Sequence, residues 1–290
     1  MLRSDRYPIR RVVGGVLLRL PFDAGKVIKR SIRIQDYSIG FHSSSLFFAF
    51  WCNPQDREFD YEFIRSYLKN DDIYVDVGAN IGTTLIPAAK IVKEGLAIGV
   101  EPHPKIFLYL RENVALNEVA DNVLLYNCAL GETRGNVTFS DKRNDDINAI
   151  TIKGKGIAVP MQLLDDIGGK YKRINLLKID VEGYEKFVCE GGTKTLAKTD
   201  CIYFEVFQEH YSAFGYSMKD MFLLLRALGF ELFLVDTVAP RTIITGDRAY
   251  DLPTSYAINM LGIKDTRDFI ERTGWRIEGD AKRISKGYGN

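Results

Sequence analysis

Four carboxylates stand at the ends of apolar runs in this 290-residue chain, spaced so that they could work on one ligand. Asp76 interrupts Ile73-Tyr-Val-Asp-Val77, a β-prone stretch that opens into Gly78-Ala-Asn-Ile-Gly82. Glycine at 78 and 82 permits a tight turn and a close approach of ligand to backbone. Glu101 follows the next apolar run, Gly95–Val100, about 20 residues past that loop, the distance at which a second strand presents a carboxylate to a ribose. Asp180 ends Ile174-Asn-Leu-Leu-Lys-Ile179, and Glu205 lies in Cys201-Ile-Tyr-Phe-Glu-Val206, with His210 shortly after. Ligands of open α/β sheets bind outside the carboxyl ends of the strands, so Asp76, Glu101, Asp180 and Glu205 are expected to line one crevice. Any one of them could instead cap a helix, as Asp180 would by accepting amides near Glu182 and Gly183. Four on successive strands point to a site.

The ligand implied contains adenosine. Dinucleotide folds use Gly-x-Gly-x-x-Gly to bring amides against a pyrophosphate, and here the middle glycine is missing. An acid two residues before the loop would repel phosphates but suits the ammonium and sulfonium charges of S-adenosylmethionine. An NAD-dependent oxidoreductase is therefore the less favoured enzyme reading. A non-catalytic cofactor-binding module would more naturally have lost Asp76 or Glu101. Methyl transfer from a sulfonium needs mainly alignment of donor and acceptor. A hydroxyl acceptor must also lose a proton, which calls for a general base or a Lewis acid. Asp180 is the first candidate base, with Glu182, Glu205 and His210 behind it. Asp180 and Glu205 are also a possible ligand pair for magnesium, which prefers oxygen donors and keeps several waters.

These residues need a scaffold, and the hydrophobic pattern supplies one. Strands are expected at 73–77, 96–101, 123–128, 174–180, 201–206, 230–235 and 255–261. Helices are expected near 83–93, 104–116, 181–196 and 218–228. Alternation of this kind gives a doubly wound, mainly parallel α/β sheet, with the last two strands a candidate antiparallel pair. Residues 135–160 read as short strands and a loop, and 236–252 as a loop. Ahead of the sheet, 27–51 reads as a β-hairpin whose second strand is Leu46-Phe-Phe-Ala-Phe-Trp51, followed by a helix over 59–68. The expected organisation is an N-terminal extension over 1–69, a sheet domain over 70–262 and a C-terminal helix or tail over 263–290.

Composition narrows the partners. With 39 basic and 38 acidic side chains the net charge is +1, so no global field draws the chain to nucleic acid. The basic clusters at 26–33 and 276–286 read as solvated faces or flexible ends. Cys52, Cys128, Cys189 and Cys201 have neither Cys-x-x-Cys nor zinc spacing and fit reduced thiols in a cytoplasmic protein. No apolar run approaches the ~20 residues that span a bilayer. Val12–Leu18, flanked by arginines, slightly resembles a signal sequence but is followed by Pro21 and Phe22 rather than a small-residue cleavage site.

Taken in order, Val75-Asp-Val-Gly-Ala-Asn-Ile-Gly82, Glu101-Pro-His-Pro104, Asn113 with Asn117, Asn127-Cys-Ala-Leu-Gly131 and Leu177-Lys-Ile-Asp-Val-Glu-Gly-Tyr-Glu185 resemble the successive blocks of the FkbM-type S-adenosylmethionine-dependent methyltransferases. The resemblance covers about residues 70–235 and is most specific in the first block and in Lys178–Gly183. It implies a class I, Rossmann-like methyltransferase fold and O-methylation of a hydroxyl on a sugar or secondary metabolite. It further implies that Asp76, Gly78, Asn80 and Gly82 surround the methionine part of the cofactor and that Glu101 takes the ribose hydroxyls. His103 is placed beside the adenine or as a helix cap, and Asn127, Cys128 and Ala129 at the adenine edge.

Overall fold

The computed structural model describes residues 8–17, 20, 31–53, 58–142, 147–151, 154–236, 239–245 and 257–278. The chain opens with helix α1 (Pro8–Leu17), strands β1 (Ser31–Ile34) and β2 (Tyr37–Gly40), and helices α2 (Ser45–Cys52) and α3 (Glu58–Tyr67). The alternating unit follows as β3 (Ile73–Val77), α4 (Leu85–Ile91), β4 (Leu96–Val100), α5 (Pro104–Leu116) and β5 (Val123–Tyr126). Next come β6 (Ala129–Leu130), β7 (Gly135–Phe139), β8 (Ile157–Gln162) and α6 (Leu164–Gly168). Then follow β9 (Ile174–Ile179), α7 (Glu185–Glu190), α8 (Thr193–Ala197), β10 (Thr199–Val206), α9 (Gln208–Ala213) and α10 (Met218–Ala227). The described chain ends with β11 (Glu231–Val235), β12 (Thr242–Thr245), β13 (Ile258–Ile263), α11 (Thr266–Thr273) and β14 (Arg276–Glu278).

Nine strands form one sheet in the order β5-β4-β3-β9-β10-β13-β11-β12-β14. From β5 to β10 every neighbour is parallel, and β13 then inserts antiparallel between β10 and β11. This is the class I methyltransferase arrangement, reached through the α/β alternation read from the sequence. The chain reverses sheet direction between β3 and β9, and there the carboxyl ends of β3, β4, β9 and β10 gather at one edge.

Two apolar layers cover the sheet, as strand alternation requires. Tyr74, Leu176, Tyr203 and Leu261 face a layer shared with Phe47, Phe63 and Trp275. Val75, Val77, Leu177, Ile179 and Phe204 face the opposite layer with Val188 and Phe222. All six residues of β9 are buried, as expected for a central parallel strand covered on both sides. Each such side chain stabilises the fold by roughly 1.5–3 kcal/mol.

Several expectations change. Residues 45–52 are helical, not a strand: Ser44 caps the helix by accepting from the Phe47 amide (3.2 Å), and Leu46, Phe47, Phe48 and Phe50 are buried. Local aromatic β-propensity yields here to a cap and to packing on several sides. The hairpin is confined to 31–40 and turns at Gln35, with φ 54°; residues 27–30 lie outside the described residues. Thr242–Thr245 pairs with β11 where a loop was expected. The sheet continues past residue 262, because Arg276–Glu278 adds β14 to its edge. The expected 181–196 helix is broken at Gly191-Gly192 into α7 and α8. Asn144 to Asp146, the start of the last strand as expected from 255, and the tail from 279 lie outside the described residues. No helix among the described residues is long and apolar enough to cross a membrane.

Candidate active site

The loop after β3 turns because three of its residues adopt left-handed backbone: Gly78 (φ 85°), Asn80 (φ 46°) and Gly82 (φ 95°). The amides of Gly78 and Ala79 both donate to the Val100 carbonyl (3.0 Å each), which folds the loop over the end of β4. Glycine at 78 is a steric requirement as well, since a Cβ there would lie 1.9 Å from the Asp180 carbonyl oxygen. The first and third acid-bearing loops are thus packed backbone to backbone. Between them and the ends of β4 and β10 lies a cleft of about 970 Å³, counted with its open mouth.

Gly78, Asn80, Glu101, Cys128, Ala129, Asp180, Glu182 and Glu205 all stand in the wall of this cleft. Glu101, only 5% exposed, is aimed by two amides: Asn80 donates to Oε2 (3.0 Å) and His103 to Oε1 (2.8 Å). Cys128 is buried, and burial pushes its thiol up to about 12, so it contributes as a small apolar surface rather than as a nucleophile.

The other expected residues serve the site from outside its wall. Asp76 is wholly buried beneath the loop, where Oδ2 accepts from Thr84 Oγ1 (2.6 Å) and Oδ1 lies 3.6 Å from Lys178 Nζ. Burial pushes its carboxyl up, while the Lys178 ammonium and the Thr84 hydroxyl pull it down. The alternation of β3 turns Asp76 away from Val75 and Val77, and it braces the loop from beneath through Thr84. Gly82 packs against Leu110 and Ile86. Asn127 donates its amide to the Glu101 and Pro102 carbonyls (2.8 and 3.0 Å), fixing the chain after β4. His103 caps α5: Nδ1 accepts from the Lys105 amide (3.2 Å), so Nε2 carries the proton and donates to Asp141 Oδ1 (3.2 Å). His210 sits behind Glu182, with Nδ1 3.3 Å from Oε2, and burial lowers its imidazole from the usual range.

Lys178 is the residue that sequence reasoning passed over. It lines the cleft at 5% exposure and bridges two carboxylates, Asp180 Oδ2 (3.0 Å) and Asp76 Oδ1 (3.6 Å). The register pairs Asp76 with Lys178 across β3 and β9, and Asp180 follows two residues on, so all three fall on one face. A basic residue in an otherwise apolar strand, two before a strand-end acid, was the available signal. Leu46, Phe139 and Ile150 complete the apolar part of the wall, and only the fold brings them there.

Asp180, expected with Glu205 as a magnesium pair, is committed to an ammonium that would repel a metal ion. The groups that do converge are Glu182, Glu205 and His210, with ligand atoms within 4.8 Å of one another.

The loop that carries Asp180 and Glu182 is itself strained, with Glu182 at φ 56° and Gly183 at φ 102°. It is held from below by Glu185, whose Oε1 accepts from the amides of Val181 (3.0 Å) and Gly183 (3.3 Å). Glu185 is fully buried, and burial pushes its carboxyl up to about 7. A carboxyl raised on folding contributes stability that is whole below its unfolded value and lost as pH rises toward 7. Glu185→Gln should therefore match the parent in urea unfolding at pH 4 or below. At pH 8 it should exceed the parent by up to about 3 kcal/mol, the difference between the two values at 1.36 kcal/mol each. Equal stability of the two proteins at both pH values would show that Glu185 is not buried as a strained acid.

Comparisons with known proteins identify the family. The family model described as Methyltransferase FkbM domain matches residues 76–232. "Methyltransferase 1" of Beauveria bassiana is 26% identical over 180 residues, covering 50% of this chain and 72% of that protein. "2-O-methyltransferase NoeI" of Sinorhizobium fredii is 26% identical over 158 residues, covering 47% and 64%. "Hexuronic acid methyltransferase AglP" of Haloferax volcanii is 26% identical over 142 residues, covering 48% and 57%. The chain thus spans less than two thirds of the length of the last two. The solved structure of "Methyltransferase FkbM" from Methylobacillus flagellatus overlaps 88% of this chain and 59% of its own at 16% identity, with a TM-score of 0.45.

Proposed function

The chain belongs to the Methyltransferase FkbM domain family, and from that premise we propose that it methylates a hydroxyl group of a sugar or secondary metabolite with S-adenosylmethionine. The observation that carries the reading is the single cleft with Glu101 in one part of its wall and Asp180, Glu182 and Glu205 in another. Family membership supports the methyl donor, and the printed names of the Sinorhizobium and Haloferax relatives favour a sugar-like hydroxyl.

In this reading Glu101 accepts the ribose hydroxyls, and the left-handed loop at Gly78 and Asn80 lets the backbone approach the cofactor. When bound, the cofactor supplies an electrophilic methyl group on a sulfonium, which is a good leaving group. Asp180 takes the proton from the acceptor hydroxyl as its oxygen attacks. Lys178 aims Asp180 through its 3.0 Å contact, and Asp76 anchors Lys178 from below. Cys128, Ala129, Phe139 and Ile150 exclude water from the apolar side of the cleft.

Calorimetry tests the donor. S-adenosylmethionine and S-adenosylhomocysteine should both bind, and NAD should not. Glu101→Ala should weaken both sulfur ligands by about 1–3 kcal/mol, the loss of hydrogen bonds to a charged acceptor. Tight NAD binding without either sulfur ligand would overturn the reading. The acceptor is sought with labelled cofactor across a panel of neutral, amino and acidic glycosides.

A further inference from the structure

We propose that the N-terminal segment, although outside the matched residues 76–232, is part of the cofactor-binding site, with Leu46 in contact with the bound cofactor. The proposal rests on the S-adenosylmethionine reading of the cleft. Leu46 opens the first turn of α2 and is 7% exposed, and it stands in the same wall as Asn80, Thr83 and Glu101.

The segment is not loosely draped there. Asn113, fully buried on α5, accepts from the Gly40 amide (2.8 Å) through Oδ1 and donates to the Ile81 carbonyl (2.8 Å) through Nδ2. One side chain therefore ties the hairpin to the loop that carries Asn80 and Gly82. Gly40 allows this approach, since a Cβ there would crowd Asn113 Oδ1 and His42 Nε2 at 3.2 Å each. One turn along α5, Asn117 repeats the tie by accepting from the Ser38 amide (2.8 Å) and donating to its carbonyl (2.7 Å). His42 stacks on Tyr109 with centroids 4.2 Å apart, and Lys105 Nζ reaches the Ser43 carbonyl (3.4 Å). The chain leading to Leu46 is thus fixed at five points to α5, the helix that starts beside Glu101. A ligand that orders the Glu101 end of the cleft must press on Leu46 as well.

Two measurements on the full chain test this with S-adenosylhomocysteine as the probe. Hydrogen exchange of the parent protein should show added amide protection within 37–52 when the ligand binds, alongside protection at 76–84 and 101–105. Leu46→Ala should weaken binding about tenfold by calorimetry, and Leu46→Met should restore most of it, a rescue that a general loss of packing would not show. The proposal requires both results. Protection confined to the matched residues, or a Leu46→Ala affinity within twofold of the parent, overturns it while leaving the cofactor assignment intact. Failure of the parent itself to bind the ligand would instead refute the proposed function, and this inference with it.

Discussion

Asp180→Asn should bind S-adenosylhomocysteine as the parent does while turning over the hydroxyl acceptor roughly 10²–10⁴-fold more slowly, the usual contribution of a positioned general base. Asparagine preserves the size of the side chain and an oxygen for Lys178 Nζ, now 3.0 Å from Oδ2. It cannot accept a proton. The side chain is 23% exposed in the cleft, so the change removes little packing, and thermal unfolding should hardly move. Lys178 makes the prediction sharper. The Lys178 ammonium aims the carboxylate, and the asparagine oxygen keeps that contact. The measurement is a single-turnover assay with labelled cofactor, run beside calorimetry on the same preparation. An Asp180→Asn protein that methylates at the parent rate would reduce Asp180 to a structural partner of Lys178. A chelator added to the parent assay separates the convergent Glu182, Glu205 and His210 from this scheme, because loss of activity would assign them a metal.

The sheet was legible because β3, β4, β9 and β10 are mainly apolar runs with an acid at or next to their carboxyl ends, a pattern with few other solutions. Pro104 at the start of α5 and the Gly78 and Gly82 turn were equally plain. What strand alternation decides was read less well. Asp76 lies on the buried face of β3 and Glu101 at the open end of β4, yet in sequence both are simply acids after apolar residues. Lys178 was overlooked because its importance comes from Asp76 on a neighbouring strand, 102 residues away from it in the chain, as the register shows. The aromatic run at 46–51 misled for another reason: Phe and Trp favour strands locally, but a Ser44 cap and a core that surrounds the run favour a helix. Its consequence reaches the site, since a strand there would not have set Leu46 in the cleft wall.

Gly78→Ala should be the most damaging single-methyl change in the protein. Two costs coincide there. The residue sits at φ 85°, where an L side chain is strained by about 1–3 kcal/mol. Its Cβ would also lie 1.9 Å from the Asp180 carbonyl oxygen, a backbone atom that cannot swing aside. Relief requires the β3 loop and the β9 loop to separate by more than 1 Å or so, an overpacking cost of roughly 1–3 kcal/mol more. The combined destabilisation of about 2–6 kcal/mol should lower the melting temperature by roughly 10 °C. Separation of the two loops also moves Asp180 away from Glu101, so S-adenosylhomocysteine affinity should fall about 100-fold or more. Gly229→Ala isolates the first cost, because Gly229 has a similar φ of 87° with nothing within 4 Å of the added carbon. That variant should lose about 1 kcal/mol of stability and no affinity. If the two alanine variants unfold at the same temperature and bind alike, the Gly78–Asp180 contact does not set the geometry of the cleft.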